Sequence, residues 1–468
     1  MRGQSYIQLD SLSKFILFTI VLSTLMFANG FYLFACLATV IILFFQLQKP
    51  YCTGVFSVIM IQHLLQIFVT VIQANYLNKN INYRSSESGT AIIFSLIGLV
   101  FLFVPVIYYQ NKLPKISFAI IQKNAEALST EKCMYVYIFT FFVASSLSAM
   151  AFMYTGLTQI IFSLIKIKWL FFILFGFLSI LKNEKRKLFY LFIGLEFMLG
   201  FFSYFSDFKT VIYYCAILLA TFLITIDFKQ MLYTSLGISI MIAFALTWTN
   251  VKTEYRAFLN GGTSQQTVSV SRDDAMEKLY DLSTKVDGSS TETSTNAFLD
   301  RLQYTYHFAK AIERVPAIIP YQNGQNLLEV LEFTTTPRFL NPDKPILDNS
   351  VKASKFTGIQ YLGAKKGVSF SLGYFAELYV DFGFLGMMIP LFFIGIFYGK
   401  LYFYFIKKGS PNILFNYAIV GSFFMEFYAF EMDATYFIGR LFASTLTYLL
   451  LVWLVFPSVY KYLVIKKI

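Results

Sequence analysis

The chain has 468 residues, 57% of them hydrophobic and 19% aromatic against only 14% charged, and its mean hydropathy is +0.61. That composition excludes a soluble globule and makes a polytopic membrane protein the expectation. The formal net charge of +12 does not argue for nucleic acid, because Lys and Arg gather at the ends of apolar runs and not on one polar face. The cysteines Cys36, Cys52, Cys133 and Cys215 fall in or beside apolar runs, and the histidines are only two, His63 and His307. Neither a disulfide framework nor a Cys/His metal centre is supported, and no metal or other cofactor is expected.

A helix needs about 20 apolar residues to cross the hydrocarbon layer. Runs of that kind predict spans near 15–29, 31–47, 53–76, 90–109, 134–154, 158–181, 188–205, 209–227, 231–249, 384–406, 412–431 and 441–457. No short apolar stretch with a small-residue cleavage site opens the chain, so the first run reads as a retained span. Asn29-Gly30 makes the first two spans a tight helical hairpin. The basic clusters (49–52; 111–132; K-N-E-K-R-K at 182–187; 407–411; the tail at Lys466-Lys467) all fall on one side if both termini are cytoplasmic. The expected class is therefore an all-α polytopic protein of the bacterial plasma membrane, with about twelve transmembrane helices and one large extracytoplasmic loop. Its parts are an N-terminal bundle over 1–249, a loop domain over 250–370 and C-terminal helices over 371–468.

Within the loop, Arg272 to Val286 carries Met276, Leu279 and Val286 at helical spacing, and Ser271 reads as its cap. Gly288 to Asn296 reads as a polar linker. Asn296 is the expected N-cap of a second helix with Phe298, Leu302, Ala309 and Ile312 on its apolar stripe, ended by Pro316 and Pro320. Then comes T-P-R-F-L-N-P-D-K-P (Thr336 to Pro345), where three prolines stiffen a non-helical loop that carries Arg338, Asp343 and Lys344. Some thirty residues on, G-Y-F-A-E-L-Y-V-D-F-G-F-L-G (Gly373 to Gly386) sets Glu377 and Asp381 one helical turn apart, just before an apolar span.

Arg338 and Lys344 have the chemistry of a phosphate clamp, a planar fork beside a point charge; the bland alternative is an Arg338–Asp343 pair that only holds the loop. One of the carboxylates Glu377 and Asp381 could serve as a general base, or both could be solvated acids of an interfacial helix. Arg440, at the outer start of the last span, either snorkels to the interface or completes the phosphate site. Glu196 and Glu426 lie inside spans, where partners are expected. His63 reads as a hydrogen-bonded core residue, and His307 as an outer base or a surface residue.

The runs E-R-V-P-A-I-I-P-Y-Q-N-G (Glu313 to Gly324), T-P-R-F-L-N-P-D-K-P and G-Y-F-A-E-L-Y-V-D-F-G-F-L-G together resemble the Wzy-like family of bacterial polysaccharide repeat-unit polymerases, over roughly residues 300–390. The resemblance implies a membrane glycosyltransferase of the broad GT-C kind, which joins oligosaccharide repeat units carried on undecaprenyl diphosphate at the outer membrane face. By position it puts Arg338 and Lys344 in the family's basic places and Glu377 in its acidic one, with Arg314 and Arg301 as outer-loop arginines by analogy. The implied partners are the lipid-linked oligosaccharide, the bilayer and a chain-length regulator. A flippase for the same lipid-linked sugars and an O-antigen-type ligase are the competing readings.

Overall fold

Local sequence accounts for several helix starts. Asp10 accepts the Ser13 N–H at 2.7 Å to open α1 (Ser11–Ser23), and after the Asn29-Gly30 turn α2 runs Gly30–Leu47. Beyond them come α3 (Val55–Tyr76), α4 (Ser88–Asn111), the short α5 (Phe118–Glu126) and α6 (Thr130–Met153). The run expected over 158–181 breaks at Lys166 into α7 (Thr158–Ile165) and α8 (Ile167–Lys182), followed by α9 (Arg186–Leu199) and α10 (Lys209–Thr221). A reciprocal capping box between Asp227 and Gln230 starts α11 (Phe228–Leu259). This computed structural model describes residues 7–153, 157–202, 208–262, 268–284, 291–336, 341, 348–361, 363 and 370–465.

The second half holds α12 (Arg272–Thr284), α13 (Thr291–Leu302), α14 (Thr305–Arg314), α15 (Gln325–Thr335) and α16 (Asn349–Thr357). It ends with α17 (Tyr374–Lys408), α18 (Ile413–Phe424), α19 (Ala434–Leu450) and α20 (Phe456–Leu463). Among the described residues the architecture is all-α apart from a parallel pairing of β1 (Gln8–Leu9) with β2 (Thr225–Ile226) and an isolated antiparallel bridge between Leu128 and Val464. Among the described residues, seven helical segments are long and apolar enough to cross a membrane, and Ser11–Met26, Lys209–Thr221 and Ile413–Phe427 are shorter apolar helices. The protein is a membrane-embedded helical bundle.

Three differences from the sequence reading have physical causes. Asn296 lies within α13 and is not a cap; the helix expected to run on from it breaks at Gln303-Tyr304, where the Tyr304 N–H leaves the helix for the Gln66 carbonyl of α3 at 3.2 Å. The boundary drawn at 249 falls inside α11, whose last turns carry Val251, Tyr255 and Leu259 into a small separate core with Ala275 and Leu282 of α12. The span drawn from 384 is preceded by three further turns, because α17 begins at Tyr374 and bends at Gly383.

Polar contacts join the connections into two ends of the bundle. At one end Lys132 donates to the Tyr462 carbonyl, Asn412 to that of Asn124, Lys182 to that of Leu128 and Tyr417 to that of Tyr51. At the other, Asn29 meets Asn75 and Lys79, Gln73 meets Asp300, and the Tyr374 N–H meets the Met432 carbonyl. The bundle is tightest between α4 and α17. A side-chain carbon on Gly395 would lie 2.2 Å from the Leu102 carbonyl oxygen, and one on Gly399 would lie 2.4 Å from the Tyr109 ring. The G-I-F-Y-G spacing lets the two backbones touch.

Candidate active site

The site grows from the first turns of α17. Gly383 has φ 68° and ψ −173°, a conformation only glycine adopts without cost, and a side chain there would run into the Tyr321 ring. The bend turns the carbonyls of Val380 and Asp381 toward the loop before α15, where they accept the N–H groups of Gln322 and Asn323 at 3.0 and 2.9 Å. The Asp381 side chain completes this junction. It accepts the Asn326 and Leu327 N–H groups at 3.2 and 2.8 Å and the Asn326 amide at 2.9 Å. A carboxylate from another helix thus caps the exposed N–H groups at the start of α15, on the favourable side of its dipole. Both candidate acids are buried, at 3% exposure for Glu377 and 1% for Asp381, so neither is a solvated carboxylate.

One turn earlier, Glu377 faces a different junction. Its Oε2 accepts from the Lys352 ammonium of α16 at 2.5 Å, and its Oε1 accepts the Ala434 N–H at the start of α19 at 3.2 Å. Asp433 caps α19 by accepting the Tyr436 N–H at 2.8 Å, while the Asn349 amide donates to its other oxygen at 2.9 Å. Burial pushes the Asp433 carboxyl up to about 6, with Lys352 pulling the other way. Lys352 reaches outward from this cluster: its side chain is 24% exposed against 3% for Glu377. It lines a cleft of about 460 Å³ together with Asn326, Glu329, Val330, Glu332, Phe333, Thr336, Asn341, Asp348, Asn349 and Thr435. The arrangement offers a buried carboxylate paired with an ammonium group, beneath a polar depression between three helices.

The other candidates go elsewhere. Arg338, Asp343 and Lys344 lie outside the described residues, although Thr336 and Asn341 beside them line the cleft. Arg314 packs on Gly358, where a side-chain carbon would fall 2.6 Å from its Nη1, and Arg301 is exposed on α13; neither lines the cleft. His307 sits among Tyr304, Tyr306, Tyr361 and Phe370, its Nδ1 2.6 Å from the Tyr361 hydroxyl. Burial, aided by Arg84, lowers its pKa to about 4. Arg440 turns inward and pairs with Glu426, Nε to Oε2 3.7 Å, while its guanidinium stacks 4.2 Å over Tyr436. Glu196, on α9, pairs with Lys168 at 2.8 Å and accepts from the Tyr137 hydroxyl at 2.9 Å. His63 is a core residue, its ring nitrogens on the Ile59 carbonyl and the Tyr374 hydroxyl.

Sequence reasoning missed Lys352, Asn349 and Asp433 as members of the site. Asp433 left a trace, an Asp directly before an apolar helical run, which is a cap signal. Lys352 left none: it stands 25 positions from Glu377, in a stretch with no motif.

The model of a protein family described as a domain of unknown function (DUF8712) matches residues 115–403, and the chain belongs to that family. The match includes α15, α16 and the first turns of α17, and stops short of Asp433 and Arg440. No curated protein and no solved structure matches the chain.

Proposed function

We propose that the protein is a membrane glycosyltransferase that extends a polysaccharide, joining oligosaccharide repeat units linked to undecaprenyl diphosphate on the outer face of the bacterial plasma membrane. The observation that carries this reading is the buried Glu377, held by Lys352 at the base of a polar cleft beside the starts of two apolar helices. In the proposed step the acceptor hydroxyl oxygen bonds to the anomeric carbon of the lipid-linked unit. The bond from that carbon to the diphosphate oxygen breaks with its electron pair, and Glu377 takes the hydroxyl proton. A single displacement inverts the anomeric centre. The Lys352 ammonium favours the ionised form of the carboxylate, the state a proton acceptor needs, against the burial that opposes it. Arg338 and Lys344 enter from the sequence as the cations that meet the leaving diphosphate. The same reading takes about twelve spans, a GT-C-like architecture, cytoplasmic termini and a chain-length regulator as partner.

Purified protein given lipid-linked repeat units should make a ladder of lengths, and a wild-type preparation that yields only single units would overturn the reading. Orientation has its own check: a single cysteine replacing Tyr280, which is 74% exposed on α12, should react with a membrane-impermeant thiol reagent in intact cells.

A flippase for the same lipid-linked sugars is the second reading, favoured by the ion pairs Glu196–Lys168 and Glu426–Arg440 within the bundle, where charges commonly mark transport paths. Cells that lose a polymerase export single repeat units, whereas cells that lose a flippase export none. Loss of a ligase, which shares the polymerase chemistry, leaves full-length chains on the carrier.

A further inference from the structure

The hairpin of α1 and α2 is tied at its ends and open between them. At its start the Asp10 N–H meets the Ile226 carbonyl at 3.3 Å, continuing the pairing of β1 with β2, and at its turn the Asn29 amide meets Asn75 and Lys79. Between those ties α1 buries Ser13 and nothing else. It stands off α2 and leaves a slot of about 280 Å³ lined by Leu9, Lys14, Leu17, Phe18, Val21 and Ile41. Lys14, Leu17, Phe18 and Val21 recur at helical spacing, so they form one stripe with a cation at its head and apolar side chains below. Among these lining side chains Lys14 alone can hydrogen-bond, which makes the slot a poor place for ordered water. An acyl chain is the filling that a bilayer supplies.

The ammonium group decides which lipid. Lys14 is exposed near the start of α1, at the end of the bundle where Gln48, just beyond α2, donates to the Ala220 carbonyl at 2.6 Å and Tyr417 to that of Tyr51. The parallel pairing sets the starts of α1 and α11 side by side, which brings Lys229 to nearly the same level. The acids at these starts are turned to the helices: Asp10 accepts the Ser13 N–H and Asp227 the Gln230 N–H, each at 2.7 Å. A headgroup phosphate at the mouth of the slot therefore meets an ammonium group that reaches up from an apolar stripe. We propose that the slot is a site for an anionic phospholipid, with one acyl chain along Leu17, Phe18, Val21 and Ile41 and the phosphate on Lys14. A zwitterionic headgroup brings its own cation and gains less from Lys14. The site lies at the opposite end of the bundle from Glu377 and does not depend on the glycosyltransferase reading.

The test titrates the full-length protein, purified in detergent, with phosphatidylglycerol and with phosphatidylcholine of the same chains, and counts bound lipid by native mass spectrometry. Phosphatidylglycerol should be retained roughly fivefold better, the worth of one lysine beside an anionic headgroup. Lys14→Gln should remove most of that preference and Lys14→Arg should keep it. Lys408→Gln, which removes a cation from the end of α17, should leave it unchanged. Val21→Trp fills the slot and should weaken both lipids. Leu17→Ala combined with Phe18→Ala only removes contact surface and should do the same, should the tryptophan disturb the hairpin. The proposal is overturned if the two lipids bind equally, if Lys14→Gln and Lys408→Gln act alike, or if neither slot variant loosens the lipid. Soluble glycerol phosphate should not compete; competition would mean a headgroup site that owes nothing to the slot, and would overturn it too.

Discussion

Glu377 and Asp381 are one turn apart on one helix, buried to the same degree, and they do different work. Around Asp381 the hydrogen-bond partners are backbone or amide: two N–H groups of α15, the Asn326 side chain, and a loop fastened to the carbonyls beside the Gly383 bend. Around Glu377 one partner is a long, charged side chain that is a quarter exposed to a cleft. The first junction is a joint between helices; the second is an acid paired with a cation beside a cavity. Spacing makes two acids look alike, and their neighbours make them different.

The largest effect that would break this contrast is on activity. Glu377→Gln keeps the size and most of the hydrogen bonding but removes the proton acceptor, so polymerisation should fall about 10²- to 10⁴-fold with little change in melting temperature. Equal ladders from wild type and variant would remove the distinction between the two junctions. Lys352→Met leaves Glu377 buried without its cation and should cost about 3 kcal/mol of stability, measured by thermal melting in detergent; a silent variant would mean that the pair carries no energy. Asp381→Asn turns an amide N–H toward the N–H groups of α15 and should cost about 2 kcal/mol, while activity per folded molecule survives. Gly383→Ala forces a side chain into positive φ against Tyr321 and should cost about 1–2 kcal/mol.

The smallest effects are titrations, and two groups at this end of the bundle have opposite signs. Asp433, raised from 3.8 to about 6, holds its proton better folded than unfolded. Its contribution is fully present below pH 4 and is lost as pH rises through 6, so Asp433→Asn should flatten stability over that window. His307, lowered from 6.5 to about 4, is neutral in the fold. Its contribution is present above pH 6.5 and is lost as pH falls toward 4, a slope that His307→Gln should remove. Melting curves from pH 4 to 7.5 separate the two.

Much of the bundle was legible from residues because apolar runs of bilayer length have one structural solution, and because caps such as Asp227 announce a helix locally. The burial of the first turns of α17 was not, since Tyr374 to Phe382 mixes acids with aromatics and is covered only when α14, α15 and α16 pack over it. The break at Gln303-Tyr304 was hidden for the same reason: its cause is a carbonyl on α3, more than two hundred positions away. Of the site, Glu377 could be named from sequence, but its partner could not, because Lys352 is defined by where α16 docks and by nothing in its own neighbourhood.

The glycine contacts between α4 and α17 have a mechanical consequence. Beyond Gly383 the long helix is bolted to its neighbour by backbone touching backbone, leaving the segment that bears both acids as a short arm on a fixed post. Any ligand that tugs on Lys352 loads that arm at one end, and the pivot hands the torque to α15 through Asp381. Loading at one wall of the cleft and tilting at the opposite wall are then a single movement.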